Sequence, residues 1–330
     1  MSKPHKLRWG ILSTAKIGLD KVIPALQRCE RCEVVALASR DADRAAQAAK
    51  SLGIAYAYGS YEALLADPEV DAIYNPLPNH LHVPLTLAAM QAGKHVLCEK
   101  PMALNAAELE VLRPLTGQVH LQEAFMVRHH PQWIAAREAI RAGAIGNLVY
   151  AQMPFSYFNA DPLNIRNIAD IGGGAIYDIG CYAIAAGRWF FETEPARVAC
   201  LIDRDPTMTT DRCASGIFDF GGGRQMVFTV ATQATRFQRL NLVGTTGRIE
   251  IEIPVNALPD QACRWLLSNG QGERWHSEQV VDQYTLQGDA FARLVLEQVP
   301  DVSGLDAAQA QMRVIDALFA AAASGRFESV

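Results

Sequence analysis

The stretch His95-Val96-Leu97-Cys98-Glu99-Lys100-Pro101 joins a four-residue apolar strand to a short charged turn. Proline fixes its own φ and offers no N–H, so the turn is rigid. Upstream, residues 7–13 (Leu-Arg-Trp-Gly-Ile-Leu-Ser) read as a buried strand, and Ile17, Val22, Ile23 and Leu26 follow at helical spacing. Glu33 to Ser39 is a second strand, and Asp41 is placed to cap the alanine-rich helix after it. Residues 55–58 form a short strand, 60–65 open a helix, and 71–74 form a strand ending at Asn75-Pro76-Leu77-Pro78. His82 to Ala92 is a helix closed by Gly93. Downstream come a helix from Ala106 and the strand His120-Leu121-Gln122. Strands alternating with helices at this spacing specify a doubly wound parallel sheet. Ligands bind outside the carboxyl ends of such strands, which makes Lys100 a candidate proton donor or acceptor beside a bound nucleotide.

The rhythm changes near residue 125. A helix holding Trp133 to Ala142 ends at Gly143, and strand-like segments then predominate at 147–158, 196–204, 214–220, 225–234, 238–243 and 247–253. Gly221-Gly222-Gly223 and Gly244-Thr245-Thr246-Gly247 lie between strands and read as hairpin turns. Residues 306–323 form an amphipathic helix with Met312, Ile315, Leu318 and Phe319 on one side. The fold class is α/β, with a second domain built on an open, largely antiparallel sheet.

The chain has 330 residues, half of them hydrophobic, and a net charge of −5. Its length favours two domains, and its charge argues against a general nucleic-acid or membrane-surface binder. No apolar run approaches a membrane span. Lys3, Lys6 and Arg8 precede an apolar stretch interrupted by Gly10 and Ser13, which reads as a strand start and not as a signal peptide. Seven scattered cysteines fit a reducing cytoplasm. Cys29 and Cys32 have a Cys-x-x-Cys spacing but no second pair to complete a zinc site, so they read as buried side chains at a helix end and a strand start. No metal motif is present.

The first turn, Gly10 to Gly18, aligns Ser13, Ala15 and Gly18 with the three glycines of the dinucleotide fingerprint. The match is degenerate, but serine and alanine are small enough for close backbone approach to a pyrophosphate. An acid at the end of the second strand would bind ribose hydroxyls. Here the strand ends Ala38-Ser39-Arg40, a hydroxyl and a guanidinium suited to a 2′-phosphate, with Arg44 adding charge. NADP is therefore favoured over NAD. In Gly172-Gly173-Gly174-Ala175-Ile176-Tyr177-Asp178-Ile179-Gly180-Cys181-Tyr182, Asp178 and Tyr182 share a face if residues 175–190 are helical. On spacing alone, a hydrogen-bonded core helix is the simpler reading. A tyrosine can nonetheless move a proton if positive charge lowers its pKa, and Lys100 would supply that charge from a site shared by the two domains.

Taken together, Ser13-Thr14-Ala15-x-Ile17, Glu99-Lys100-Pro101 and Asp178-x-x-x-Tyr182 resemble the glucose–fructose oxidoreductase / inositol dehydrogenase / rhizopine-catabolism (Gfo/Idh/MocA) family. The resemblance extends to Glu123-Ala124-Phe125-Met126-x-Arg128, Asn164-Ile165-Arg166 and Gly244-Thr245-x-Gly247-Arg248-Ile249-Glu250-Ile251. The glycine-rich cluster looks most like the branch holding D-xylose dehydrogenases, aldose oxidoreductases and dihydrodiol dehydrogenases. Tyr182 stands where the inositol dehydrogenase branch has histidine. The resemblance implies a Rossmann domain over residues 1–124 and a substrate-binding and oligomerisation domain over 125–330, whose C-terminal helix is free to pack back on the first. It implies Lys100 and Tyr182 as the catalytic pair with Asp178 beside them. Ser13, Thr14, Ala15, Ile17, Ser39, Arg40, Leu77, Asn79, His82, Glu99 and Lys100 would hold the cofactor. Phe155, Tyr157, Phe158 and Arg166 are expected to shape the substrate side with Asp178 and Tyr182. His129-His130 is expected to be structural.

The expected activity is NADP-dependent hydride transfer to or from a sugar or polyol, such as oxidation of D-xylose or glucose to its lactone. The alternatives are a trans-dihydrodiol or dicarbonyl reductase, a nonenzymatic NADP sensor, and a purely structural partner. Intact Lys100, Asp178 and Tyr182 argue against the last two. The expected partner is a small carbohydrate or polyol, with no nucleic acid and no membrane, in a homodimer or homotetramer.

Overall fold

The computed structural model describes residues 6–301 and 303–330, so Lys3 lies outside the described residues. The chain divides into two compact units. The first takes residues up to Met126 together with Asp282–Gln309; the second takes Val127–Val281 with Ala310–Val330.

The first unit is built on six parallel strands: β1 (Leu7–Leu12), β2 (Cys32–Ala38), β3 (Tyr56–Tyr58), β4 (Ala72–Asn75), β5 (His95–Cys98) and β6 (Leu121–Glu123). Their order is β3-β2-β1-β4-β5-β6. The chain winds outward from β1 in one direction and then from β4 in the other. Between β1 and β4 lies the switch point where such sheets bind nucleotides. The central strands β4 and β5 are short and buried along almost their whole length, as strands of a sheet covered on both faces are. Gly10 is a packing necessity: a Cβ there would lie 2.7 Å from Leu64 Cδ2.

The local signals hold at the helices. Asp41 caps Ala42–Leu52 by accepting the Arg44 N–H, and Ser60 caps Tyr61–Leu65 by accepting that of Ala63. Gly93 closes His82–Gln91 with φ +75°. The helix from Ala106 differs from expectation. It winds as a 3₁₀ helix over Ala106–Leu115, and Pro114 within it removes a donor that an α-helix would use. Helix Gln283–Glu297, unmarked in the sequence reading, clusters with the first unit. Its Phe291 ring lies 5.2 Å from Trp9, and both side chains are fully buried. Cys29 follows the helix Ile23–Arg28 and Cys32 opens β2, both buried against that helix, with the Cys32 thiol donating to the Gly288 carbonyl at 3.5 Å. All seven cysteines are free.

The second unit contains β7 (Leu148–Phe158), β8 (Arg197–Arg204), β9 (Asp211–Asp219), β10 (Gln225–Ala231), β11 (Gln233–Gln238), β12 (Leu240–Gly244), β13 (Gly247–Ile251), β14 (Arg264–Asn269), β15 (Gly272–Ser277) and β16 (Glu328–Ser329). The order is β15-β14-β13-β12-β7-β10-β9-β8-β16, with β11 also on β7. β7 and β10 run parallel and the remaining pairs are antiparallel. In β10, Met226, Phe228 and Val230 point into the core and Val227 points out, so one face of the sheet is packed and the other open. Helices Pro131–Arg141 and Cys181–Phe191 belong to the packed side, where Trp133 meets Phe190 at 5.3 Å. At Gly187 a Cβ would fall 2.8 Å from the Phe220 ring, so only glycine lets this helix come so close.

Candidate active site

Four turns at the carboxyl ends of β1, β2, β4 and β5 carry the expected nucleotide residues. After β1, Ser13 adopts φ +78°, the left-handed conformation usually left to glycine. Its N–H is held by the Ala38 carbonyl at 2.8 Å, and its Oγ accepts the Ala15 N–H at 3.2 Å. Thr14 and Ala15 complete the turn, and helical residues 16–28, which include Ile17, begin immediately after it. Gly18 is not sterically required, since a Cβ there would make ordinary contact with Pro76 at 3.7 Å.

After β2, Ser39 is buried and its Oγ accepts the Asp41 N–H at 3.2 Å, while Arg40 is exposed. The Asp41 carboxylate accepts the Arg44 N–H at 3.0 Å and so serves as the helix cap. The donor set beside it, a hydroxyl and a guanidinium, fits a nucleotide phosphate.

The turns after β4 and β5 brace each other. Asn75 is fully buried; its amide nitrogen donates to the His82 carbonyl and to Thr86 Oγ1, and its Oδ1 accepts the Leu77 N–H. His82 is also buried, with Nδ1 2.8 Å from the Pro101 carbonyl oxygen and Nε2 2.6 Å from that of Leu77. Burial pulls its pKa down to about 4, so it is neutral at physiological pH. His82 thus packs between the Asn75–Pro78 turn and the Glu99–Pro101 turn, and the single N–H of the neutral ring hydrogen-bonds one of the two carbonyls. Asn79 begins the short helical turn Asn79–Leu81 between them.

Glu99 accepts the Tyr74 hydroxyl at 2.7 Å and the Lys100 N–H at 3.2 Å, which fixes the backbone from which the Lys100 side chain leaves. The Lys100–Pro101 peptide is cis. The Met102 N–H donates to Glu123 Oε1 at 2.9 Å, anchoring the far side of the turn. Tyr284 was missed in the sequence reading. Its phenol pKa is raised, first by burial and then by the Glu99 carboxylate, and Lys100 opposes the shift. This tyrosine lies on a helix far along the chain and no motif marks it.

In the second unit, the expected substrate residues converge on Asp178. The Tyr157 hydroxyl donates to Asp178 Oδ2 at 2.6 Å, and Arg166 Nε donates to Asp178 Oδ1 at 3.0 Å. The Tyr182 ring is buried with its centroid 6.2 Å from that of Phe155. Phe158 is exposed at the end of β7. The chain around Asp178 is not a uniform α-helix. Residues Ile176–Gly180 form a wide turn in which the Cys181 N–H reaches the Ile176 carbonyl, and the α-helix proper runs Cys181–Phe191. The glycines before it have separate causes. Gly172 adopts φ +83°, a Cβ on Gly173 would strike the Ile168 carbonyl at 2.6 Å, and one on Gly174 would fall 1.9 Å from Asp211 Oδ1.

His130 caps Pro131–Arg141 by accepting the Gln132 N–H on Nδ1, a structural task. Among the described residues, no group of three or more His, Cys, Asp or Glu side chains is placed to hold a metal ion, and no helix is long and apolar enough to cross a membrane.

Comparison with known proteins assigns this architecture. Residues 7–122 match the oxidoreductase family with an NAD-binding Rossmann fold, and residues 133–250 match the GFO/IDH/MocA C-terminal domain. The chain is 38% identical to a D-xylose 1-dehydrogenase (NADP(+)) of Haloferax volcanii over 97% of its own length and 98% of the relative's. It is 32% identical to a trans-1,2-dihydrobenzene-1,2-diol dehydrogenase of Xenopus tropicalis, over 83% and 88% of the two chains. The aldose-aldose oxidoreductase of Caulobacter crescentus, solved with glycerol, superposes with a TM-score of 0.91 at 26% identity, covering 99% of this chain and 100% of that one. The chain belongs to the Gfo/Idh/MocA family and is an NAD(P)-dependent oxidoreductase.

Proposed function

We propose that this protein is an NADP(H)-dependent oxidoreductase that transfers hydride between the nicotinamide and a carbinol or carbonyl carbon of a sugar or polyol. The reading rests on the Asp178 carboxylate, held between the Tyr157 hydroxyl and the Arg166 guanidinium beside Tyr182. Such a group of donors and acceptors recognises a hydroxyl-rich substrate. The NADP preference is supported by Ser39 and Arg40, and by the engagement of Asp41 as a helix cap rather than as a ribose ligand.

Bound NADP supplies the hydride acceptor, and the remaining chemistry falls to the chain. Ser13, Thr14, Ala15 and Ile17 hold the pyrophosphate side; Leu77, Asn79 and Glu99 line the nicotinamide side, with His82 bracing them. Tyr182 takes the proton from the substrate hydroxyl as its carbon is oxidised, and Lys100 stabilises the phenolate that accepts it. Asp178 orients the reacting hydroxyl with Arg166 and Tyr157, and Phe155 bounds the sugar face. The likeness to a D-xylose dehydrogenase and an aldose oxidoreductase supports an aldose substrate, oxidised at C1 to the lactone.

The experiment is a panel of D-xylose, D-glucose, other pentoses and hexoses, and a trans-dihydrodiol, each with NADP⁺ and NAD⁺, read by NADPH or NADH absorbance. Turnover of an aldose with NADP⁺ is expected. Turnover of the dihydrodiol alone would move the assignment to the aromatic-diol branch, for which Phe155 and the exposed Phe158 are the supporting residues. No turnover with any of these substrates would refute both the sugar and the diol assignment. The open sheet face, with Leu201, Ile217, Val227 and Phe237 exposed, is the surface expected to be buried in a homodimer or homotetramer, which sedimentation velocity tests.

A further inference from the structure

A buried carboxylate that the proposed chemistry does not use stands at the start of the Tyr182 helix. Asp211, the first residue of β9, is 1% exposed, and its Oδ2 accepts the Ile176 N–H at 2.6 Å. Ile176 opens the wide turn that carries Asp178, and the turn hands over directly to the helix that carries Tyr182. On the other side, the Asp178 N–H donates to the Gly174 carbonyl at 3.0 Å. Gly174 has φ +122° and no side chain, and the space a Cβ would occupy is filled by the Asp211 carboxylate. The Gly174 N–H in turn reaches the Arg166 carbonyl at 2.8 Å. The carboxylate therefore holds the segment from which Arg166, Asp178 and Tyr182 all project.

Wide turns persist where tertiary contacts fix them, and they recur at functional sites. Without the anchor, residues 176–180 can relax to α-helical register. Each step of that change rotates Asp178 relative to Arg166 and Tyr157, and Tyr182 relative to Phe155. The carboxylate also accepts from the backbone N–H groups of Asp211 itself and of Ala175, and asparagine would turn an NH2 donor where the carboxylate offers a second acceptor oxygen.

We propose that Asp211 is a positioning residue for the reaction: its carboxylate locks the wide turn and thereby sets the directions in which Asp178 and Tyr182 project. The inference rests on the reading of Tyr182 as the proton-transfer group.

The test compares full-length wild type, Asp211→Asn, Asp211→Ser and Tyr182→Phe, using NADP⁺ and the aldose turned over fastest in the panel. Asp211→Asn is isosteric, and Asp211→Ser keeps a capping oxygen at reduced reach. The expected result is a fall in kcat of about 10- to 100-fold for Asp211→Asn, the scale set by a misplacement near 1 Å. The KM for NADP⁺ should stay within about twofold, because the nucleotide residues lie on other elements. The melting temperature of Asp211→Asn should not fall. Wild-type kcat per folded molecule in Asp211→Asn, whether or not its melting temperature changes, overturns the inference. If Tyr182→Phe keeps wild-type kcat, the proposed function fails whatever Asp211 does. If Tyr182→Phe is slow and Asp211→Asn is fast, only the role of Asp211 fails.

Discussion

Replacing Asp211 by asparagine should make the protein more stable at neutral and alkaline pH, and the size of that effect follows from its surroundings. Burial pushes the carboxyl from its ordinary 3.8 up to about 6, against the opposing pull of the Ile176 N–H and, more weakly, the Arg204 charge. The Cys200 thiol has its own pKa raised to about 12, chiefly by burial and secondarily by the Asp211 charge. The folded state binds the Asp211 proton more tightly than the unfolded chain does. Stability from this residue is therefore fully present below about pH 4 and declines as pH rises to about 6. Above that, the native state carries the whole penalty of the charge. A rise from 3.8 to about 6 is about 2.2 pH units, which at 1.36 kcal/mol each is about 3 kcal/mol. Asparagine imitates the protonated acid and carries none of it. At roughly 2–4 °C per kcal/mol, Asp211→Asn should melt about 6–12 °C above wild type at about pH 8, with the gap closing near pH 4. Differential scanning calorimetry across that range is the assay. A variant that melts below wild type at alkaline pH, or a gap that does not change with pH, would refute the reasoning and show that charge-assisted hydrogen bonds outweigh desolvation here.

Other substitutions probe the rest of the site. Gly174→Ala places a Cβ against the Asp211 carboxylate in a backbone conformation that L-residues rarely adopt, so urea denaturation should show a loss of about 2–5 kcal/mol; a loss below about 1 kcal/mol would mean the glycine is dispensable. Lys100→Met should bind NADPH by fluorescence titration as wild type does while kcat falls about 10²- to 10⁴-fold; undiminished turnover would remove Lys100 from the proton transfer. Arg40→Ala should raise the KM for NADP⁺ about 10-fold or more, leave that for NAD⁺ unchanged, and flatten the salt dependence of NADP⁺ binding. Equal effects on both cofactors would contradict a 2′-phosphate contact. Tyr157→Phe removes the hydroxyl that donates to Asp178 and should lower kcat/KM for the sugar about 10- to 150-fold, the scale of a hydrogen bond to a charged group, with NADP⁺ affinity intact; steady-state kinetics on both substrates separates the two.

The first sheet was legible because its information is local. Most strands are short, largely apolar runs, and several helices are flagged by a cap, such as Asp41, Ser60 or Gly93. The chemistry-bearing turns were legible for the same reason, since they follow strand ends whose positions the apolar runs fix. Segments without such signals went unread. β14 and the almost wholly exposed β15 carry mixed polar sequences with no apolar alternation, and helix Gln283–Glu297 is buried by residues distant in the chain. The 3₁₀ winding of Ala106–Leu115 was overlooked although Pro114 was visible, because the apolar pattern alone cannot separate it from an α-helix.

By itself, the sequence determined the order of elements, the strand ends at which Ser13, Ser39 and Lys100 stand, and the spacing that links Asp178 to Tyr182. These follow from short-range sterics and periodicity, which any stretch of chain carries with it. Only the tertiary structure decided that three consecutive glycines answer three different constraints, one a left-handed backbone and two a close neighbour, that His82 is a brace, and that Asp211 holds the turn before Tyr182. A carboxylate 33 residues from Asp178 in sequence becomes its support only because β9 comes to lie beside residues 174–176, and no local pattern encodes a contact of that kind.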